Sequence, residues 1–318
     1  MYNAEDKYKY IKFKESQATL PANYLERLFT NTQEVEYSLS CDVSDWHETE
    51  IIEHYKNEHS SSLHSLIVMN GRLAEYVDFL NRTGKIQHKN RFNNITTDML
   101  ESCVDEEKTK KKFLSRKEFY AALNLLDNAV DKFVLTSLYE GIKGKGFDEI
   151  WRLELKNITP QTAILHNDRQ IDLMDSKLYH LAHESADTDF YYSYGKTDVT
   201  YRMYGAKDQI IKMTSIKQFL EISDDPVMIE RQNKNIFRKF ERAVCEIGWD
   251  EVKPRSLLIS GQIEYAKRLA EKKGYDISEL INNKQEFNHL QKRFTKIASK
   301  DEFIKIAKYI DEQTTSSG

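Results

Sequence analysis

The sequence predicts a mainly α-helical chain with a small β component, arranged as two domains. Three observations carry that expectation. Apolar residues recur at three- and four-residue spacing over most of the chain, and only 4 prolines and 11 glycines interrupt them. Beyond residue 160 the period changes, where Thr162-Ala-Ile-Leu-His and Gln170-Ile-Asp-Leu flank Asn167-Asp168, a pair suited to a tight hairpin turn. A basic, polar run at residues 108–117 separates a first set of helical patterns from a second.

Each element can be justified in turn. Residues 4–12 and 21–40 read as helices, with Pro21 suited to a first helical position. Residues 41–46 form a turn, and Trp46 leads a short helix through Ile51, Ile52 and Tyr55. Ser60-Ser61-Ser62 opens a long helix with Leu63, Leu66, Ile67, Leu73, Tyr76, Val77 and Leu80 on one face, closed by Thr83-Gly84. A polar loop from Gln87 to Asn94 carries Lys89 and Arg91, and Thr96 to Val104 forms one more short helix. Residues 1–107 make one helical domain, 108–117 a basic linker, 114–313 a second domain, and 314–318 a flexible tail.

The second domain opens on Ser115-Arg116-Lys117-Glu118, which has capping-box spacing. A helix from about Ala129, with Phe133, Val134 and Leu138, runs into a hinge holding Gly141, Gly144 and Gly146, and a second helix leaves with Ile150, Trp151 and Leu153. Three glycines so close together imply a sharp turn with close backbone approach. Lys143 and Lys145 stand on that turn, where free N–H groups and ammonium charges would suit an anion. A plain corner between two helices, with both lysines solvated, is the alternative. His180 and His183 fall three apart on helix 176–186, but no matching ligand pair accompanies them, so no metal is expected. Residues 190–213 interleave Tyr191, Tyr192, Tyr194, Tyr201 and Tyr204 with Lys196, Arg202 and Lys207. They read as a short β-ribbon with one packed face, or as an aromatic clamp on a nucleic-acid backbone. Helices follow at 230–247 and 256–273, and the stretch 284–294 precedes a terminal amphipathic helix carrying Phe303, Ile304, Ile306, Ala307 and Ile310.

Composition narrows the function classes. The chain has 318 residues, enough for two domains with cores of their own, and its 40% hydrophobic and 31% charged content excludes a disordered chain. No apolar run approaches the roughly 20 residues that span a bilayer, and the first residues have no signal-peptide pattern. Cys41, Cys103 and Cys245 are widely spaced, as expected of free thiols in a reducing cytoplasm. The net charge of -4 is unevenly spread. Residues 33–59 hold 8 acids against Lys56 alone, residues 108–117 hold 6 bases and no acid, and residues 231–273 hold 11 bases against 6 acids. Such segregation lets a basic surface attract phosphates despite the overall balance.

The order of pieces resembles the tyrosine recombinases, or phage integrases. Residues 41–86 are similar to a SAM-like core-binding domain, and residues 114–294 to a catalytic domain. The motifs that carry the resemblance are Gly141-Ile-Lys-Gly-Lys-Gly-Phe-Asp-Glu-Ile-Trp, similar to Gly-Leu-Arg-x-x-Glu, and Val252-Lys-Pro-Arg-Ser-Leu-Leu-Ile-Ser-Gly261, similar to the box beginning His-x-x-Arg. In that family a tyrosine attacks a DNA phosphodiester while two arginines and a histidine or lysine carry the developing charge. The resemblance places the first arginine at Lys143 or Gly146, the histidine at Arg255, the second arginine at Leu258 and the nucleophile at Phe294. The hairpin lysine is also missing, with Arg169 the nearest base. Lysine is no substitute for a bidentate guanidinium, and phenylalanine has no hydroxyl.

A recombinase scaffold with these positions replaced implies a DNA-binding protein without strand cleavage, not an enzyme. It resembles the lysogeny-maintaining repressors of SPbeta-type phages, which implies a prophage transcriptional repressor in the host cytoplasm, at the nucleoid. The expected partner is double-stranded operator DNA, gripped by Lys89, Arg91, Lys111, Lys112, Arg116, Lys143, Lys145, Lys196, Arg202, Lys207, Lys253 and Arg255, with Arg116, Arg202 and Arg255 as readers of base edges. Self-association through the C-terminal helix and release by an antirepressor protein or peptide complete the expectations, with no cofactor. The alternatives are a recombinase with an off-pattern nucleophile, Tyr275 or Tyr309, and a protein-interaction module whose basic surface meets an acidic partner.

Overall fold

The computed structural model describes residues 1–17, 21–194, 199–215, 225–294 and 298–316, with residues 313–316 as backbone only. The chain divides into two compact units, Met1–Thr109 and Lys110–Gly318. Lys196 lies outside the described residues.

The first unit is helical throughout: α1 (Ala4–Ser16), α2 (Ala22–Leu39), α3 (Glu48–Asn57), α4 (Leu63–Arg82), α5 (Thr97–Glu101) and α6 (Glu106–Lys110), which crosses the division. Its core is aromatic, with Tyr10, Phe29, Trp46, Tyr55 and Tyr76 fully buried. Tyr76 of α4 stands edge-on to Tyr10 of α1 at 5.5 Å and to Phe29 of α2 at 4.9 Å, a geometry that aromatic quadrupoles favour. Ser62 caps α4 by accepting from the Ser65 N–H at 3.4 Å.

Three expectations for this unit need correction. Ile67 is exposed, because it lies about 100° round α4 from Leu66, outside the buried stripe of Leu66, Leu73, Val77 and Leu80. Pro21 is the N-cap, with ψ of 134°, rather than the first helical residue. The acidic excess of residues 33–59, counted above toward the segregation of surface charge, is partly interior. Glu36 and Asp42 are buried there, Glu36 paired with buried Lys7 of α1, which also lies 3.8 Å from Asp42. The Val43 N–H at 2.8 Å and the Thr32 hydroxyl at 3.0 Å also donate to Glu36, so the buried charge is both paired and hydrogen-bonded.

The second unit contains α7 (Arg116–Leu123), α8 (Ala129–Tyr139), α9 (Asp148–Trp151), a hairpin β1 (Thr162–Ile164) and β2 (Gln170–Asp172), α10 (Lys177–Asp187) and a ribbon β3 (Phe190–Tyr192) and β4 (Thr200–Arg202). The helices α11 (Pro226–Ile247), α12 (Pro254–Lys273), α13 (Ile277–Asn282), α14 (Lys284–Arg293) and α15 (Lys300–Ser316) complete it. Helix α8 is its centre. Phe133, Val134, Leu135, Leu138 and Tyr139 are all fully buried, and so are its polar Asp131, Thr136 and Ser137, so the helix is enclosed on nearly every side. Helix α12 crosses α8 without an intervening side chain: a Cβ on Gly261 would lie 1.7 Å from the Tyr139 carbonyl oxygen. A second core gathers Ile259, Ile263, Leu280 and Leu290 with Phe303, Ile306 and Ile310 of α15.

The expected Ser115 capping box forms, with the Glu118 N–H on Ser115 Oγ at 3.3 Å and the Ser115 N–H on Glu118 Oε2 at 2.9 Å. The hairpin pairs Thr162 with Asp172 and Ile164 with Gln170, and Asp168 takes the left-handed φ of 60° that its turn needs. In the ribbon Tyr191 is buried while Phe190 and Tyr192 are half exposed, which is the one-packed-face alternative. The second helix of the hinge is shorter than expected: α9 ends at Trp151, and buried Leu153 follows it. The basic run 108–117 is not an open linker. It starts in α6, and Phe113 and Leu114 are buried in the second unit, where the Leu114 N–H donates to Ser260 Oγ at 3.0 Å. The expected flexible tail is helical as far as Ser316. The apolar face of α15 (Phe303, Ile306, Ala307, Ile310) is buried within the unit and is not free for the self-association expected of this helix.

Two glycines separate packing from propensity. Gly261→Ala should destabilise the second unit by about 3 kcal/mol or more, because both helix backbones must move apart. Gly71→Ala, in α4 with nothing within 4 Å of the new methyl, should gain about 0.5–1 kcal/mol. Urea midpoints of the two variants, shifting in opposite directions, check both.

His54 makes the first unit sensitive to acid. It is buried against Trp46, and burial pushes its pKa down to about 4, since Glu58 at 3.8 Å is too distant to offset the lost hydration. The unfolded chain takes up this proton near pH 6.5 and the folded chain resists it. Stability is therefore complete above pH 6.5 and falls by about 3 kcal/mol as pH drops toward 4. Urea unfolding followed by Trp46 fluorescence at pH 7 and pH 4.5 should show this loss, and His54→Phe should remove its share.

Candidate nucleic-acid interface

The hinge after α8 turns on three glycines with positive φ: 88° at Gly141, 65° at Gly144 and 68° at Gly146. Side chains are excluded at each. A Cβ on Gly144 would meet Asp148 Oδ1 at 1.8 Å, and one on Gly146 would meet Asn233 Nδ2 of α11 at 2.6 Å. The turn therefore wraps its own acids. Glu149 Oε2 accepts the Lys143 N–H at 3.0 Å, and the Asp148 carboxylate fills the space above Gly144. The donors that an anion would use are thus partly answered from within, and the anion-binding capacity rests on the two ammonium groups. Lys143 is half-buried with its Nζ 4.9 Å from the centre of the Phe147 ring, and Lys145 is exposed.

Two guanidinium–carboxylate pairs tie this hinge to the hairpin and to the end of α14. Arg169, just past the hairpin turn, grips Glu149 through two nitrogens, with Nε on Oε1 at 3.0 Å. The same group donates to the Gly141 carbonyl at 3.1 Å and to the Arg293 carbonyl. Arg293 in turn donates to Glu140 Oε2 at 2.6 Å and to the Asp172 carbonyl, with its plane 4.2 Å from the centre of the Tyr265 ring. Glu140 also accepts the Met174 N–H at 3.1 Å. Phe294 closes the arrangement. It is buried, and its ring occupies the space that a side chain on Gly141 would need, 2.5 Å from the missing Cβ.

The structure thus brings Lys143, Gly146 and Phe294 to one locality, through contacts that the sequence did not disclose. Glu140, Glu149, Arg169 and Arg293 are the residues that sequence reasoning missed as a set. Only the placing of acids beside the hinge and of Arg293 beside Phe294 hinted at them. Leu258 is half-buried against the core around α8. Arg255 is exposed and pairs with Glu302 of α15 at 3.5 Å, while Lys253 donates to the Asp250 carbonyl at 3.1 Å. Arg116 is engaged by Asp175 and lies 3.8 Å from Glu264. Arg202 stands exposed on the ribbon, and Lys207 and Lys111 are exposed, with Lys112 half-buried. In the first unit Lys89 is exposed, whereas Arg91 donates to the carbonyls of Asp45 and Trp46 at 2.7 and 3.2 Å.

Burial dominates the electrostatics of the pairs. It pushes the Glu140 carboxyl above its ordinary range, against the pull of Arg293, and it lowers Arg293. Removing one partner leaves the other buried and unpaired. Arg293→Met should therefore cost about 3–5 kcal/mol, and Arg293→Met with Glu140→Leu should recover part of that loss. Urea unfolding followed by Trp151 and Trp249 fluorescence measures both.

Among the described residues no group of three or more His, Cys, Asp or Glu could hold a metal ion, and no helix is long and apolar enough to cross a membrane. His180 and His183 each lie against the ring of Tyr179. No curated protein matches the chain. Two family descriptions do: MrpR, N-terminal core-binding domain, over residues 1–82, and MrpR, C-terminal catalytic domain, over residues 113–314. The first reaches well beyond the expected 41–86, because α1 and α2 supply part of the same aromatic core. Both domains are tyrosine-recombinase-like, and with the second alone covering well over half of its 318 residues, the chain belongs to the MrpR family.

Proposed function

We propose that this chain binds double-stranded DNA as a prophage repressor and does not cut it. The observation that carries the reading is Phe294. At the position where the recombinase resemblance puts the nucleophile, this side chain has no hydroxyl and is packed against Gly141. The neighbouring guanidiniums of Arg169 and Arg293 are turned onto Glu149 and Glu140, so neither is directed outward at a phosphate. Members of a catalytic set act as a unit, and losing one removes nearly the whole effect.

What supports binding is the charge that remains outside these pairs. Lys145, Lys207, Arg202 and Lys111 are exposed on the second unit, and Lys89 on the first. Each cation that neutralises a backbone phosphate releases a counterion, so affinity should fall steeply with salt. Operator choice would then rest on a few base-edge contacts.

Gel shifts on duplex fragments of phage promoter regions, run at two or more salt concentrations, test the reading. Lys143→Glu with Lys145→Glu should weaken binding and reduce the salt slope by about 2, with the urea midpoint unchanged. No shift at low salt would remove the DNA-binding assignment. A band surviving SDS on a suicide substrate would replace a repressor by a recombinase.

A further inference from the structure

A second feature of the catalytic-type unit has no part in the hinge. Helix α11 turns one face, Asn235, Arg238, Lys239 and Arg242, toward the tyrosine ribbon and residues 212–214, and a cavity of about 840 Å³ lies between them. That volume is within the range of pockets that hold small organic ligands. Positions 235, 238, 239 and 242 share a face because they are three, four and seven residues apart.

The chemistry of the walls is specific. Lys239 is only 9% exposed, and its Nζ lies 4.1 Å from the centre of the Tyr191 ring. It has no hydrogen-bond or ion-pair partner among the described residues. A buried ammonium without a hydrogen-bonded anion is costly, and burial lowers its pKa against the pull of Asp131. Asp131 attracts it without forming an ion pair. Asp131, at the start of α8, uses Oδ2 to accept both the Tyr191 and Tyr194 hydroxyls at 2.9 Å, and burial raises its pKa toward the neutral form. Lys212 is engaged by the Thr188 carbonyl and Asp189 at 3.2 Å. Arg238 and Arg242 are exposed at the mouth, one turn apart, with Glu241 and Glu246 also on the rim. Two guanidinium forks beside a buried ammonium match the oxygens of a phosphate, and the rings of Tyr194 and Tyr201 offer flat apolar surface beside it.

We propose that this cavity binds a small phosphorylated ligand, its phosphate seated on Lys239 and flanked by Arg238 and Arg242. The site is independent of the DNA-binding reading. It is built from the C-terminal half of α11, whereas the hinge packs on Asn233, one turn earlier.

Isothermal titration of the full chain with AMP and with inorganic phosphate tests the proposal. Binding of either, weakened more than tenfold by Lys239→Met and by Arg242→Gln, is the expected result. Arg242→Gln, at an exposed residue, should keep the thermal transition of the parent, and it carries the test where Lys239→Met, which removes a positive charge acting on buried Asp131, lowers that transition. The same two variants are then titrated with duplex DNA. Failure of AMP and phosphate to bind at 10 mM, or binding that neither substitution changes, would overturn the assignment. So would an effect of Lys239→Met seen only with duplex, which would assign the ammonium to a DNA backbone phosphate.

Discussion

Two carboxylates and two guanidiniums, removed from water together, hold the centre of the second unit in place. Each ion alone would cost several kcal/mol to bury, and each pair is tolerated because most of its remaining lone pairs and protons are also satisfied, Arg293 Nε being the exception. Glu140 takes Arg293 and the Met174 N–H, and Glu149 takes Arg169 and the Lys143 N–H. Arg169 then spends its last donors on the carbonyls of Gly141 and Arg293. The hinge, the hairpin and the end of α14 share these four side chains and cannot shift separately. The pose of Phe294 follows from this arrangement as much as from its own apolar character.

In the proposed reading the same arrangement divides the charges of this unit between two tasks. The guanidiniums of Arg169 and Arg293, beside positions that the recombinase resemblance assigns to catalysis, are consumed in structure, where their forked geometry is best used. Flexible ammonium groups remain outside, and they suit a sequence-tolerant grip on a phosphate backbone. Affinity without chemistry then needs no precise placement of any single lysine. This matches a surface on which Lys145 and Lys207 are exposed while Arg169 and Arg293 are held.

Local features were legible in the sequence, and long-range pairings were not. The Ser115 capping box and the Asn167-Asp168 turn depend on neighbours within a few residues, so spacing alone discloses them. Glu140 and Arg293 are 153 residues apart, and no periodicity links them. The acidic stretch 33–59 was misleading for the same reason: Lys7, the residue that buries Glu36, belongs to a different helix. The cavity beside α11 was hidden more deeply, since its buried Lys239 sits in what reads as an ordinary basic helix. The residue types at the positions that the recombinase resemblance assigns to catalysis were visible in the sequence. That Arg169 and Arg293 had been given other partners was visible only in three dimensions.

The gap above Gly141 also constrains how this chain can diverge. Its φ of 88° already disfavours any side chain, and the Phe294 ring stands where the first carbon of one would go. Positions 141 and 294 therefore form a coupled pair in descent. A larger residue at 141 is admissible only after a smaller one has appeared at 294, and neither change is neutral alone. Among relatives the two positions should vary together or not at all, which makes the pair a marker of lineage within the family, independent of any operator sequence.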